Sequence, residues 1–335
     1  MHGSSYGGAR LLKVGIIGVG GIAQRHIRSL VDRGGVELTF CDVVQERARE
    51  AARVHGGRSF SDPEEMLSAV HPDVVFLCTP PSVRADVIDV AAHAGAAIFC
   101  EKPPALREAD GKAAVDSIRA TGVTSNVGFM YRWLGAVDQA RQALAGRPLL
   151  AIRSAFLCGP VADMNLPAWF YLQERSGGPL LDQAIHVLDL HRYFGGEIVA
   201  VSAMASRSRP RSDSFTIDDT HTLNLRFASG LIGSHTHSWA YRSSYSSFEL
   251  IAADARLDID LLNNRCAGVV DGKPVAWAPE DDCYRTEVEA FLRAVEHHDP
   301  SGIRSPYEDG LRSASVAWAA IEAARAGDVR GPVTL

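Results

Sequence analysis

Gly15-Ile16-Ile17-Gly18-Val19-Gly20-Gly21-Ile22-Ala23 joins an apolar run at 13–17 to a segment of helical periodicity at 21–31. Gly18, Gly20 and Ala23 fit the pattern G-x-G-x-x-G/A. In that pattern the first glycine permits a tight turn and the second lets backbone approach a pyrophosphate. The third small residue lets helix and strand pack closely. The helix start, at Gly21 and Ile22, then offers N–H groups and the positive end of its dipole to phosphates. A glycine turn without a ligand would carry the same three residues, so the context decides. A strand precedes, a helix follows, and Asp42 stands about twenty residues on, after the next apolar run at 36–41. A carboxylate there accepts hydrogen bonds from ribose hydroxyls and repels a 2′-phosphate, which favours NAD over NADP. Arg47 nearby reads either as a solvated helix residue or as a complication of that preference.

Working outward, short β-type runs at 13–17, 36–41, 73–78, 96–100 and 123–129 alternate with helical segments at 21–31, 45–54, 63–69, 83–94 and 106–120. The runs are mostly continuous and apolar, as parallel strands buried on both faces are. The alternation predicts a doubly wound parallel sheet of the α/β class. Past residue 130 the pattern changes. A helix at 137–144 leads into longer alternating strands at 149–158, 199–206, 220–228, 231–239, 246–251 and 256–259, interrupted by a helix at 181–194. Tight turns such as Ala228-Ser229-Gly230 point to a mostly antiparallel sheet. Helices at 286–297 and 307–326 follow. The expected organisation is a flexible leader over 1–10, a dinucleotide-binding domain over 11–130, and a substrate-binding and assembly domain over 131–335.

The 40 acidic residues outnumber the 34 basic ones, and a net charge of −6 argues against a general binder of nucleic acid or anionic membrane. No apolar stretch reaches the ~18 residues of a membrane helix. The first residues are small and polar, without the pattern of a secretory signal. The cysteines (Cys41, Cys78, Cys100, Cys158, Cys266, Cys283) are scattered without a C-x-x-C pair. They read as buried small hydrophobes in a reducing compartment, and the expected location is the cytoplasm. His235 and His237 share one strand face but lack a third ligand, so no metal is expected. The basic stretch Ser206-Arg207-Ser208-Arg209-Pro210-Arg211-Ser212 reads as a solvated loop or as one reaching an anionic group.

Two clusters carry chemistry. Cys100-Glu101-Lys102-Pro103-Pro104 follows a buried strand, and ligands in open α/β sheets bind at the carboxyl ends of strands. Lys102 is there a candidate general base or a solvated loop lysine. The second cluster, Ser176 to Asp189, opens with Gly177-Gly178-Pro179. It sets Asp182, His186 and Asp189 at i, i+4 and i+7 of a helix, so the three are expected on one face. His186 suits a proton shuttle and Asp182 suits orienting a substrate hydroxyl. An Asp–His pair at this spacing also occurs as a purely structural pair.

With Cys78-Thr79-Pro80-Pro81, Glu101-Lys102-Pro103, Val127-Gly128-Phe129 and Arg132, and the G-G-x-x-x-D-x-x-x-H run ending at His186, the chain resembles the Gfo/Idh/MocA family of nicotinamide-dependent oxidoreductases over nearly its whole length. The resemblance implies an N-terminal Rossmann domain and a C-terminal α/β domain with an open-faced, mostly antiparallel sheet. It implies a homodimer or homotetramer assembled through that sheet. Thr79, Pro80, Glu101 and Lys102 would join Gly18, Gly20, Gly21, Ile22 and Asp42 in holding the cofactor. Arg132, Trp169, Asp182 and His186 would contact substrate, and the Lys102–Pro103 bond would be cis. Arg84, Met130, Phe170 and Pro179 stand where family members often carry histidine, asparagine, arginine and glycine. The expected activity is an NAD-dependent dehydrogenase or reductase acting on a secondary alcohol of a sugar, cyclitol or derivative. His186 is ranked ahead of Lys102 as base, Lys102 stabilises the developing alkoxide, and Asp182 fixes a neighbouring hydroxyl. The alternatives are an NAD-using glycosidase on the same scaffold and a non-catalytic dinucleotide-binding regulator.

Overall fold

The computed structural model describes residues 10–159 and 161–332, so the leader expected over 1–10 falls, but for Arg10, outside the described residues. Six strands pair in parallel: β1 (Leu12–Ile17), β2 (Val36–Cys41), β3 (Arg58–Phe60), β4 (Val74–Leu77), β5 (Ala97–Cys100) and β6 (Ser125–Val127). Their spatial order is β3-β2-β1-β4-β5-β6. The last four residues of β1 and β2 and all four of β4 and β5 are buried, as their apolar runs require. The connectors are α1 (Gly21–Arg33), α2 (Gln45–His55), α3 (Pro63–Val70), α4 (Arg84–His93) and α5 (Glu108–Thr121). The order of strands reverses between β1 and β4, which opens a crevice at their carboxyl ends. The doubly wound sheet expected from the sequence is therefore present. Strand β3 was not anticipated. It has one buried residue, Phe60, too few for a periodic signal, and it forms along the open edge of β2.

The chain forms two compact units, and neither is continuous in sequence. Residues 1–101, 113–128 and 287–306 make the first; 102–112, 129–286 and 307–335 make the second. A linear reading with one boundary at 130 does not anticipate the exchange of 102–112 and 287–306. The reason for the second exchange is packing. Val288, Phe291 and Leu292 complete the core of the parallel sheet beside Phe76 and Phe99. Phe76 stacks on Phe99 with centroids 4.6 Å apart, and Phe291 meets Phe99 edge-on at 5.4 Å. Each such ring withdrawn from water contributes about 1.5–3 kcal/mol.

In the second unit, α6 (Gly135–Ala143) precedes β7 (Leu149–Leu157), α7 (Gln173–Ser176), α8 (Ile185–Gly195) and a run of strands. These are β8 (Ile198–Ser206), β9 (Thr220–Phe227), β10 (Ile232–Ser238), β11 (Tyr245–Ala252), β12 (Ala255–Asp260), β13 (Arg265–Val270) and β14 (Lys273–Trp277). Helices α9 (Cys283–Glu296) and α10 (Tyr307–Ala326) and the short β15 (Val329–Arg330) follow. The nine strands run β14-β13-β12-β11-β7-β10-β9-β8-β15, antiparallel except for the β7–β10 pair. Strand β9 shows why one face is covered and the other open: His221, Leu223, Leu225 and Phe227 are buried while Thr222, Asn224 and Arg226 are exposed. Strands β13 and β14 were not anticipated, although Asp271-Gly272 between them is a two-residue hairpin signal. Both residues take positive φ, 50° and 73°, as a type I′ turn requires. Pro274 obscured the pattern, and it is tolerated because β14 is an edge.

Candidate active site

At the carboxyl end of β1 the chain turns through Gly18, whose φ is +86°. A Cβ there would stand 2.9 Å from the backbone of Cys78 and Thr79, so only glycine lets the β1 and β4 loops approach this closely. Gly20 caps α1, and a Cβ on Gly20 or Gly21 would meet no atom within 4 Å. The space above the helix N-terminus is therefore open. Asp42 follows β2 and is buried; its Oδ2 accepts the Val19 N–H at 2.8 Å and its Oδ1 accepts the Val44 N–H at 2.9 Å. The glycine loop and the carboxylate are thus fixed to each other. Thr79 Oγ1 is buried with no hydrogen-bond partner among the described residues. An open helix N-terminus, a fixed carboxylate and an unsatisfied hydroxyl fit a dinucleotide. Gly18, Gly20, Gly21, Ile22, Asp42 and Thr79 are the residues that would hold it, with exposed Pro80 beside them.

Glu101 is placed differently from a surface cofactor contact. It is buried, and its Oε1 meets His26 Nε2 at 2.6 Å, which ties the end of β5 to α1. Buried Arg84 donates to the Thr79 carbonyl at 2.9 Å through Nε and to the Glu101 carbonyl. It therefore braces the two loops that follow β4 and β5.

The second unit holds the other cluster. The Lys102–Pro103 bond is cis, as the resemblance implied. Lys102 Nζ donates to the Asp182 carbonyl at 2.7 Å and lies 3.5 Å from Asp182 Oδ1. The helix expected over 181–194 begins instead with a π turn, Leu180–Ala184, entered through Gly177 and Gly178 at positive φ. Such one-turn insertions recur at functional sites because they re-aim side chains and carbonyls. Here Asp182 and Gln183 are half-buried between buried Leu180, Leu181 and Ala184. His186 opens the α-helical part and is 5% exposed. Its ring packs against Tyr131 at 5.3 Å and edge-on to Phe129 at 5.9 Å. Burial, and then the Lys102 ammonium, hold its pKa well below 6.5, so the imidazole is neutral at physiological pH. Its Nδ1 is sealed off without a partner among the described residues, which leaves Nε2 to meet a substrate.

Asp189 does not join this group. It is buried, and Arg132 holds it through Nε at 2.7 Å and a terminal nitrogen at 2.6 Å. Arg132 also meets Asp309 at 2.7 Å, and Ser313 donates to Asp189 at 2.7 Å. The expectation that Asp182, His186 and Asp189 share one helix face is corrected at its first member, because Asp182 lies in the π turn; His186 and Asp189 keep their i, i+3 spacing on α8, but the Asp189 carboxylate is committed to Arg132 and to Ser313 of α10. Arg132, expected at the substrate, is 3% exposed and committed to two carboxylates, which makes it a support for α8. Trp169 is half-buried beside Phe170, in a loop whose core is Val161, Phe215, Ile217 and Trp239. In the basic loop, Arg207 pairs with Asp218 and Arg209 with Asp163, so two of its charges are already neutralised. Among the described residues no group of three His, Cys, Asp or Glu side chains could hold a metal ion, and no helix is long and apolar enough to cross a membrane. The six cysteines are free thiols.

Two family models match the chain. One, an oxidoreductase family with an NAD-binding Rossmann fold, covers residues 12–129; the GFO/IDH/MocA C-terminal domain covers 138–259. Levoglucosan dehydrogenase of Pseudarthrobacter phenanthrenivorans is 30% identical over 71% of this chain and 71% of its own. The scyllo-inositol 2-dehydrogenase (NAD(+)) of Bacillus subtilis is 27% identical over 85% and 84%, and the D-apiose dehydrogenase of Paraburkholderia graminis is 29% identical over 79% and 74%. Among solved structures, a levoglucosan dehydrogenase in complex with NADH and levoglucosan superposes with a TM-score of 0.86 at 24% identity, covering 96% of this chain and all of that one. Both halves of the sequence, and the glycine loop, E-K-P and D-x-x-x-H motifs within them, thus lead to one conclusion: the chain belongs to the GFO/IDH/MocA family of NAD-binding oxidoreductases.

Proposed function

We propose that this protein is an NAD-dependent dehydrogenase or reductase acting on a secondary alcohol, or the matching ketone, of a sugar, cyclitol or derivative. The observation that carries the reading is the convergence of Lys102, Asp182 and His186. Bound nicotinamide would supply the hydride acceptor or donor. Lys102, held by Asp182, donates to the reacting oxygen and stabilises its developing negative charge. Asp182 accepts from a neighbouring substrate hydroxyl. His186 is neutral, as a base must be, and takes the alcohol proton at Nε2. In oxidation the unprotonated Nε2 accepts the proton and the ring becomes imidazolium, with Nδ1 keeping its own proton; in reduction the imidazolium returns that proton from Nε2. An imidazolium beside the Lys102 ammonium is unfavourable, which speeds release of the proton to solvent. The Asp42 carboxylate supports NAD over NADP. Leu150, Met204, Ile232 and Val329, exposed on the second unit, support assembly as a homodimer or homotetramer, which light scattering tests.

The experiment is a panel of sugars and cyclitols with NAD, in which nicotinamide absorbance and glycoside cleavage are followed separately. Reduction of NAD without cleavage supports the reading; cleavage without accumulated NADH supports the glycosidase. Lys102→Ala and His186→Ala should each lower kcat by about 10²–10⁴ while changing NAD affinity little. Near-normal turnover of both variants would remove the assignment.

A further inference from the structure

Gln183 stands in the π turn next to Asp182, and nothing in the sequence pattern singled it out. Its Oε1 accepts the Trp239 Nε1–H at 2.6 Å and the Cys158 thiol at 3.0 Å. An indole Nε1–H only donates, so the amide atom facing it has to be oxygen. The orientation of the carboxamide is therefore set by chemistry and is not an arbitrary choice between two flips. Trp239 is itself immobile. It is buried, stacks on Phe170 with centroids 4.9 Å apart and planes 15° from parallel, and its backbone N–H bonds the Asp219 carbonyl at 2.7 Å.

With Oε1 held by this wall, the two Nε2 hydrogens point away from it. No protein group among the described residues accepts them, and Gln183 is only half-buried. Asp182 and Gln183 are the two half-buried positions of the turn, so both side chains reach its accessible side.

We propose that Gln183 is a specificity-determining residue whose carboxamide, clamped by Trp239 and Cys158, donates from Nε2 to an oxygen of the polyol adjacent to the hydroxyl that Asp182 holds. The inference rests on the polyol reading given above. The acceptor is a hydroxyl, ring or bridging oxygen, and a substrate lacking it leaves a clamped donor without a partner. A lost neutral hydrogen bond of this kind weakens binding roughly five- to a hundredfold.

Gln183→Glu keeps an oxygen for Trp239 and Cys158 and removes both N–H donors. Binding to the NADH-loaded protein is measured by calorimetry for levoglucosan, myo-inositol and the monodeoxy analogues of each, with KM and kcat alongside. The unmodified protein should prefer one parent polyol over one of its deoxy analogues by that factor. In Gln183→Glu the preference should collapse, through weaker binding of the parent and with more of the change in KM than in kcat, while NADH affinity is kept. A merely structural role would weaken parent and analogues alike, and that result overturns the proposal. If Gln183→Glu does not fold, Gln183→Met, of similar length and uncharged, carries the same expectation. Binding of no polyol to the unmodified protein would overturn the dehydrogenase reading and this proposal with it. Binding with the deoxy preference intact in the variant overturns the Gln183 assignment alone.

Discussion

Replacing Arg132 by methionine separates two roles that the sequence could not. The guanidinium makes two hydrogen bonds to Asp189, at 2.6 and 2.7 Å, and one ion pair to Asp309 at 2.7 Å. Side-chain exposure is 4% for Arg132 and 1% for Asp189, against 32% for Asp309. Loss of the arginine therefore falls on Asp189, which is the more deeply buried, and on the sealed Oδ2 of Asp309, whose Oδ1 keeps Arg192 at 2.9 Å. Removing one partner of a buried pair costs about 3–5 kcal/mol. The Ser313 hydroxyl still donates to Asp189, which puts the expected loss near the lower end, about 3 kcal/mol. Urea unfolding followed by circular dichroism measures it. Arg132→Met combined with Asp189→Leu removes both charges and should recover part of the loss, giving a coupling energy of about 0.5–3 kcal/mol in the double-mutant cycle. If instead Arg132→Met unfolds at nearly the same urea concentration and raises KM many-fold, Arg132 is a substrate contact and its reading as a support for α8 is wrong.

Three further outcomes are expected. Gly18→Ala, at φ +86° with backbone 2.9 Å from the new Cβ, should lose about 1–3 kcal/mol, whereas Gly20→Ala should fold normally and lose NAD affinity; thermal melting with NADH titration checks both, and the reverse pattern refutes the cradle. Asp42→Ala should narrow the preference for NAD over NADP in paired titrations, and tighter NADP binding by the unmodified protein would refute the preference. His186, His191, His221, His235 and His237 are all depressed by burial, His221 to about 4 and His235 to about 3. The unfolded chain binds their protons near pH 6.5 and the folded chain only well below it. Stability should therefore fall as pH drops below 6.5, by up to ~1.4 kcal/mol per pH unit for each such histidine, and a flat urea midpoint over that range would contradict it.

The parallel sheet and its cofactor loop were legible because their signals are local: apolar runs of four to six residues, glycines at fixed offsets, and Asp42 at a fixed distance from them. The Lys102, Asp182 and His186 group was legible through its motifs. What the sequence could not show lies in contacts between distant segments. Arg132 looks like an exposed cation until Asp189, 57 residues on, is found beside it. Gln183 is an ordinary helix residue until Trp239, 56 residues on, fixes its oxygen. The π turn was hidden because Leu180-Leu181-Asp182-Gln183-Ala184 reads as regular amphipathic helix, and the extra residue per turn leaves no compositional trace.

The interleaving of the two units bears on how the chain is made. A protein is synthesised from its N-terminus, and domains ordinarily fold as they emerge. Here the parallel sheet has all six strands out by Val127, yet the faces of Phe76 and Phe99 lack Phe291 until the segment 287–306 has been synthesised. The dinucleotide-binding half waits, apolar surface uncovered, while eight of the nine strands of the second sheet, β7 to β14, are translated. A fragment ending at residue 130 would stay open to protease, and supplying 287–306 through a designed linker is what would close it.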